Sequence, residues 1–435
     1  MRGRPTSRTA PPKRAAPPKS AAQSNAALSK RAPLFAALDH GTVQGTLLGK
    51  RVSFATARGL FSADRIDDGT RLLLSHLPEL SAAQSGSDAP ASERIDVLDL
   101  GCGYGALGLA IAAAYTNATL TLVDRDRIAV AYAARNAETL GLERVRALGG
   151  LGYRDLDADE RFDWILCNVP ARIGERAIAY LIGEGALRLT AHGEVRVVVI
   201  RDLGDVVERV AGEARLPVRE IARSARHIVY ACAPLATTRD AHDARATRGA
   251  HERLYARDVV TLDGRTLTRP HDLGEDASHL REALPLLLDV LPRRADDLRA
   301  LVLRGGYGAV ALALAARGGE VVAVDRDLLA TTFTRRNAEQ HALRLTTREA
   351  AWLPDAIAAD ERFGLIVAET SDAAGAEATL RELTSVRKLL APGGQALWLT
   401  RSKHVAALIA SLEQHGRAPT ILATRGAYTV LRDIV

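Results

Sequence analysis

The chain is short of the residues that would staple it or carry it through a bilayer. Its 435 residues include only three cysteines, Cys102, Cys167 and Cys232. Their spacing matches neither a CxxC pair nor a metal-ligand set, so no disulfide framework and no metal site is expected, and the pattern fits a reducing compartment. No apolar run approaches the ~20 residues a spanning helix needs, which sets aside a membrane protein. No cationic-then-apolar leader opens the sequence, and a cytoplasmic location is expected. Acid is missing from the beginning, because the first Asp or Glu is Asp39.

That local absence explains the overall charge. Residues 1–31 carry eight cations, and without them the formal +6 becomes 50 cations against 52 anions. The body is therefore nearly neutral. A tail of Pro, Ala, Lys and Arg cannot bury enough apolar surface to fold, so residues 1–32 read as a disordered basic segment. Two readings of it stand open: salt-sensitive affinity for RNA phosphates, or a solvated leader with no specific role.

An internal repeat organises what is present. Val123-Asp124-Arg125-Asp126 recurs as Val324-Asp325-Arg326-Asp327, and Arg135-Asn136-Ala137-Glu138 recurs as Arg336-Asn337-Ala338-Glu339, both at an offset of 201. Phe162-Asp163-Trp164-Ile165 and Phe363-Gly364-Leu365-Ile366 keep the same register. Around these landmarks, short apolar strands at 95–100 and 120–123 alternate with amphipathic helices at 107–114 and 128–140. The order repeats at 300–303, 310–316, 321–324 and 328–342. Such alternation predicts βαβ units and a parallel sheet covered on both faces, hence an α/β chain of two tandem Rossmann-like domains. The expected division is a catalytic domain over 33–240, a polar linker over 241–258 and a second domain over 259–435.

In the first copy a strand ends at Asp99-Leu100 and a glycine-rich turn, Gly101-Cys102-Gly103-Tyr104-Gly105, leads into a helix. Glycines let a ligand approach the backbone, and amides at a helix start favour a negative group such as an amino-acid carboxylate. Asp124, with Arg125 beside it, ends the next strand, where an acid accepts hydrogen bonds from ribose hydroxyls. Asp99, Gly101, Gly103, Gly105, Asp124 and Arg125 are thus candidate binders of S-adenosylmethionine. A nicotinamide dinucleotide is the rival, since Gly103 to Gly108 also satisfies G-x-G-x-x-G. Asp99 argues against it, because a carboxylate just before the turn repels a pyrophosphate and suits the methyl donor's cationic groups.

A later strand ends in Asn168-Val169-Pro170-Ala171, at the sheet edge where ligands bind. With Gly59-Leu60-Phe61-Ser62 and Asp67-Asp68-Gly69-Thr70 upstream, Asp99 to Gly105, and Asp124, residues 43–235 resemble the RsmC-type ribosomal RNA guanine methyltransferases. The resemblance implies a class I methyltransferase fold, S-adenosylmethionine as methyl donor, an exocyclic base amine as acceptor, and ribosomal RNA or a ribosomal subunit as partner, with neither metal nor membrane. It implies that Asn168 and Pro170 are catalytic, that Asn168 also touches the cofactor, and that Phe61 belongs to the substrate side. An Asn carbonyl can accept the amine's hydrogens and so restore the nitrogen's nucleophilicity; alternatively Asn168 only forms a turn. Val169 and Ala171 depart from the family's Asn-Pro-Pro-aromatic, which removes a stacking ring worth ~1–3 kcal/mol. Arg172 either stacks in its place or is a solvated loop residue. The acid that usually holds the adenine amine is replaced by Gly149-Gly150-Leu151-Gly152, leaving Asp155 as a substitute. A protein or small-molecule acceptor, or a non-catalytic RNA-binding role, are the alternative functions.

In the second copy Val302 stands opposite Asp99, Arg304 opposite Gly101, and Glu369-Thr370-Ser371 opposite Asn168-Val169-Pro170. Asp325 survives, but the loop before it is damaged and the amine acceptor is gone, so this copy reads as degenerate. The family also pairs a working domain with a degenerate one, but there the working copy is C-terminal.

Overall fold

A computed structural model describes residues 34–36, 38–78, 94–235, 251–273, 279–370 and 375–435. Each copy opens with an antiparallel hairpin: β1 (Asp39–Leu47) and β2 (Lys50–Ala57) in the first, β10 (Ala256–Leu262) and β11 (Arg265–Pro270) in the second. The first sheet holds β3 (Ile95–Leu100), β4 (Ala118–Asp124), β5 (Val145–Gly149), β6 (Phe162–Asn168), β7 (Leu189–Ile200), β8 (Val218–Arg223) and β9 (His227–Cys232), in the order β5-β4-β3-β6-β7-β9-β8. The second repeats it with β12 (Arg299–Leu303), β13 (Glu320–Asp325), β14 (Thr346–Glu349), β15 (Phe363–Glu369), β16 (Leu390–Arg401), β17 (Thr420–Arg425) and β18 (Tyr428–Ile434), as β14-β13-β12-β15-β16-β18-β17. The order reverses between β3 and β4 on one side and β6 on the other, the switch point where α/β sheets bind ligands.

The sheets are mostly parallel, as expected, and β9 and β18 run antiparallel to β7 and β16. The cause is chain length. Arg223 pairs with Ile228 across a tight turn, and such a turn is far too short for the crossover that a parallel neighbour requires.

Apolar side chains decide which faces are covered. Helix α1 (Asp68–Leu74), α2 (Ala106–Ala114), α3 (Arg127–Thr139), α4 (Glu175–Leu187) and α5 (Gly204–Glu213) belong to the first unit; α6 (Leu284–Val290), α7 (Ala309–Ala316) and α8 (Leu328–Gln340) take comparable places in the second. One face of the first sheet packs Val97, Leu120, Leu122 and Leu166 against α2, α3 and the β1–β2 hairpin. The other packs Leu98, Ile165 and Val197 against α4 and α5 in a cluster that runs on into the second unit through Leu254, Tyr255 and Val302. Trp352 of the second unit reaches the opposite cluster, its ring 4.9 Å from that of Phe35. The two units therefore share apolar surface rather than hang from a tether.

The basic segment expected over 1–32 lies outside the described residues, as do residues 241–250 of the expected linker. Residues 251–258 form a short helix, His251–Tyr255, and the start of β10. Strand β10 of the second unit thus begins before 259.

Candidate active site

The repeated Arg-Asn-Ala-Glu segment has a structural purpose. Asn136, 1% exposed on α3, accepts from the amide of Ala55 at 2.8 Å and donates to the carbonyls of Ala55 at 3.0 Å and Tyr104 at 2.9 Å. It thereby fastens β2 to the glycine-rich turn. Asn337 makes the corresponding three bonds to Thr268 and Tyr307, so the hairpins are part of the repeat, and their turns match as Thr46-Leu47-Leu48-Gly49-Lys50 and Thr261-Leu262-Asp263-Gly264-Arg265.

In the turn itself, Gly101, Gly103 and Gly105 have φ of 69°, 55° and 95°, a left-handed conformation that side chains disfavour. A Cβ on Gly101 or Gly103 would meet nothing within 4 Å, so both face open space at the end of β3. The amides of Gly101 and Cys102 are taken by the carbonyl of Val123. Asp99, 1% exposed, accepts from the Gly108 amide at 2.9 Å through Oδ2. Its Oδ1 has no partner among the described residues. Burial pushes its pKa up to about 7. One amide of the helix start expected to face a ligand is therefore consumed within the protein, by the very carboxylate that precedes the turn.

Asp124 receives the amides of Gly103 at 2.9 Å and Asp126 at 2.8 Å. Burial raises its pKa as well. The open face of the turn, a buried acid suited to a cation and an acid after β4 suited to ribose hydroxyls together fit S-adenosylmethionine, which Asp99, Gly101, Gly103, Gly105 and Asp124 would hold. Arg125 is placed elsewhere. Its guanidinium donates to the Asp272 carbonyl at 2.8 Å and pairs with the carboxylates of Asp272 at 3.2 Å and Asp327 at 3.4 Å, all in the second unit. Asp155 binds the Leu151 amide at 3.0 Å and Arg154 at 3.1 Å, which shapes the turn after β5.

Asn168 ends β6 beside β3. Its Nδ2 donates to Asp67 Oδ2 at 2.9 Å and to Thr70 Oγ1 at 3.2 Å. Asp67 is at the same time the N-cap of α1, accepting from Gly69 and Thr70 amides. With both amide hydrogens engaged, Oδ1 is the remaining acceptor, without a partner among the described residues. Asp67 and Thr70 are thus orienting groups that sequence reasoning passed over, although the Asp67-Asp68-Gly69-Thr70 element had been noticed. Pro170 is exposed and its carbonyl accepts from the Ile173 amide, closing a turn after the strand. Val169 is buried, its amide bound to Val198, while Ala171 and Arg172 are exposed. Phe61 is 72% exposed. Its loop is braced by Tyr104, whose hydroxyl donates to the carbonyls of Ser62 and Arg65 at 3.4 and 3.3 Å.

In the second unit Arg304 occupies the left-handed position of Gly101, with φ 53°, and its amide binds Val324 as that of Gly101 binds Val123. The guanidinium crosses the strand ends to the Glu369 carbonyl and the Glu382 carboxylate. His279 meets Glu369 at 3.0 Å, in the manner of Asp67 and Asn168. The units meet about a pseudo-dyad. Asp126 and Asp327 form an isolated antiparallel bridge, the Arg127 amide donates to the Arg326 carbonyl, and the Leu328 amide to that of Arg125. Arg326 pairs with Asp126 at 3.4 Å and reaches the Gly59 carbonyl at 3.5 Å, mirroring the contacts of Arg125.

Two doubly wound α/β units, one with an open glycine-rich turn flanked by acids and an oriented Asn at the switch point, make a protein suited to a nucleoside-containing cofactor. The chain belongs to the methyltransferase small domain family, whose model matches residues 51–231 and 277–432. It is 30% identical over 158 residues to the uncharacterized protein YbxB of Bacillus subtilis, covering 36% of this chain and 73% of that protein. It is also 30% identical to ribosomal RNA large subunit methyltransferase G of Alcanivorax borkumensis, over 40% of this chain and 42% of that one. To ribosomal RNA small subunit methyltransferase C of Hahella chejuensis it is 32% identical, over 40% and 47%. The matches thus span under half the length of these two enzymes. The 16S rRNA methyltransferase RsmC of T. thermophilus, solved with AdoMet and guanosine, shares the fold with a TM-score of 0.61 and 20% identity over 91% of this chain and 98% of that one.

Proposed function

We propose that the first unit transfers a methyl group from S-adenosylmethionine to an exocyclic amine of a base in ribosomal RNA, guanine being the favoured acceptor, and that the second unit is degenerate in catalysis. The observation that carries this reading is the clamping of Asn168 by Asp67 and Thr70. The clamp leaves Oδ1 to accept a hydrogen from an incoming amine, which draws the nitrogen lone pair out of the base and aligns it for attack. When bound, S-adenosylmethionine supplies an electrophilic methyl group, so no strong base is needed. Asp99 and Asp124 would hold the donor; as the nitrogen takes the methyl group the S–CH3 bond breaks, S-adenosylhomocysteine leaves, and the surplus proton of the methylated nitrogen passes to solvent.

The acceptor base must be unpaired to enter. The exposed ring of Phe61, on a loop tied to the glycine-rich turn through Tyr104, supports stacking there in place of the aromatic residue absent at Ala171. Arg172 is the second candidate contact for RNA. The enzyme names of the relatives support ribosomal RNA as substrate.

Tritiated S-adenosylmethionine offered with ribosomal RNA, assembled subunits, ribosomal protein and small amines in separate reactions tests the proposal. Label is expected in RNA, in a guanine, and lost with Asn168→Ala. Label confined to protein or small molecules would overturn the acceptor; no transfer and no binding of S-adenosylhomocysteine would overturn the enzyme.

A further inference from the structure

The second unit has lost the means to hold a methyl donor but has kept a cavity. It measures about 520 Å³ and lies at the carboxyl ends of β12, β13 and β15, within the range of small-ligand pockets. Aliphatic side chains, among them Val302, Val310, Ala330 and Val367, line it together with Asp325 and Arg304.

Three features define what would fit. Asp325 gives Oδ1 to the Asp327 amide at 3.0 Å, and Oδ2 has no partner among the described residues. In the first unit Asp124 spends both oxygens on amides. Asp325 therefore keeps one more acceptor position open to the cavity than its counterpart. Arg304 projects from the position where Gly101 faces open space, and its bonds to Glu369 and Glu382 fill that side. Val302, in the place of Asp99, offers no charge to an ammonium. An amino-acid tail is thus refused sterically and electrostatically, while the diol acceptor and the apolar walls persist.

We propose that this cavity binds a ribonucleoside, with Asp325 accepting from its 2′,3′-diol and the aliphatic walls enclosing its base. The diol belongs equally to a free nucleoside and to the 3′-terminal nucleoside of an RNA. An internal nucleotide lacks it. The inference is independent of the first unit's reaction.

The test is equilibrium dialysis of the full chain with radiolabelled adenosine, guanosine, cytidine or uridine, while saturating S-adenosylhomocysteine occupies the first unit. At least one nucleoside is expected to bind once per chain and to bind tenfold or more weakly to Asp325→Asn. The 2′-deoxynucleoside should also lose tenfold or more, a comparison that needs no variant to fold. Competition by a short RNA with a free 3′-diol, but not by the same RNA with a 3′-phosphate, assigns the site to RNA ends; competition by neither assigns it to free nucleosides. Absence of binding by all four nucleosides, or binding indifferent to both Asp325→Asn and the missing 2′-hydroxyl, would overturn the proposal.

Discussion

Replacing Asn136 by Leu removes three hydrogen bonds at constant bulk and strands one N–H and two carbonyls. An unsatisfied buried group costs ~1–3 kcal/mol. Ala55 is half-buried, so water can recover part of the loss, and the expected destabilisation is about 3–5 kcal/mol. Against a total of ~5–15 kcal/mol for a domain, this approaches half the stability of the first unit and corresponds to roughly 10 °C in its melting temperature. Asn337→Leu should cost the second unit a similar amount. Urea unfolding followed by hydrogen exchange on peptides spanning 39–57 and 256–270 assigns each loss to its hairpin. Because Asn136 also holds the Tyr104 carbonyl, its replacement should weaken S-adenosylhomocysteine binding at least tenfold, and that of Asn337 should leave it within threefold. A cost below ~1 kcal/mol in either variant, or equal loss of binding in both, would refute the view that these residues fasten hairpin to turn.

Other expectations follow from the site. Asp99, held at about 7 by burial against 3.8 in the unfolded chain, is largely protonated at pH 6 in the empty protein; a bound ammonium favours the carboxylate. Binding should therefore release a proton below pH 7 and tighten from pH 6 to 8, as calorimetry in two buffers would register, and Asp99→Asn should abolish both effects. The same raised pKa makes the unligated fold lose stability as pH climbs from about 4 to 7, because the folded state holds the proton longer. Asn168→Ala should lower kcat by about a hundredfold or more with little change in S-adenosylhomocysteine affinity, and Asp67→Ala should lower kcat less; equal rates for wild type and Asn168→Ala in single turnovers would contradict the role given to Oδ1. Gly108→Ala places a Cβ 2.9 Å from Asp99 Oδ2 and 2.7 Å from Leu122, so donor binding should fall, whereas Ala311→Gly at the equivalent position beside Val302 should leave it unaltered.

Much of the architecture was legible because two copies constrain each other. The strand expected over 95–100 is β3, the helix over 128–140 is α3 shifted by one residue, and the alignment of Arg304 with Gly101 is reproduced by their matching amide bonds. The hairpins escaped because their matching turns, Thr46 to Lys50 and Thr261 to Arg265, stand at an offset of 215 and not the 201 of the other landmarks; Asn136 and Asn337 hold them through partners 81 and 69 residues away. β9 escaped because nothing in an apolar strand states its direction. Within the site, the tendency of an Asn and a glycine turn to sit at the sheet edge is local chemistry and could be read. The clamp on Asn168 depends on residues 98 and 101 positions upstream, and the diversion of Arg125 to Asp272 depends on the other unit, so neither leaves a trace in local sequence.

The bridge between Asp126 and Asp327 has an evolutionary meaning. A contact in which each segment meets its own counterpart is the geometry of a two-fold homodimer, here drawn into one polypeptide. In a homodimer every substitution appears on both sides of the axis. Joining the copies in one chain lifted that restriction, so one half could exchange its turn glycine for Arg304 while the other kept Gly101, and the Arg-Asp pairs at the axis stayed alike because each serves both halves.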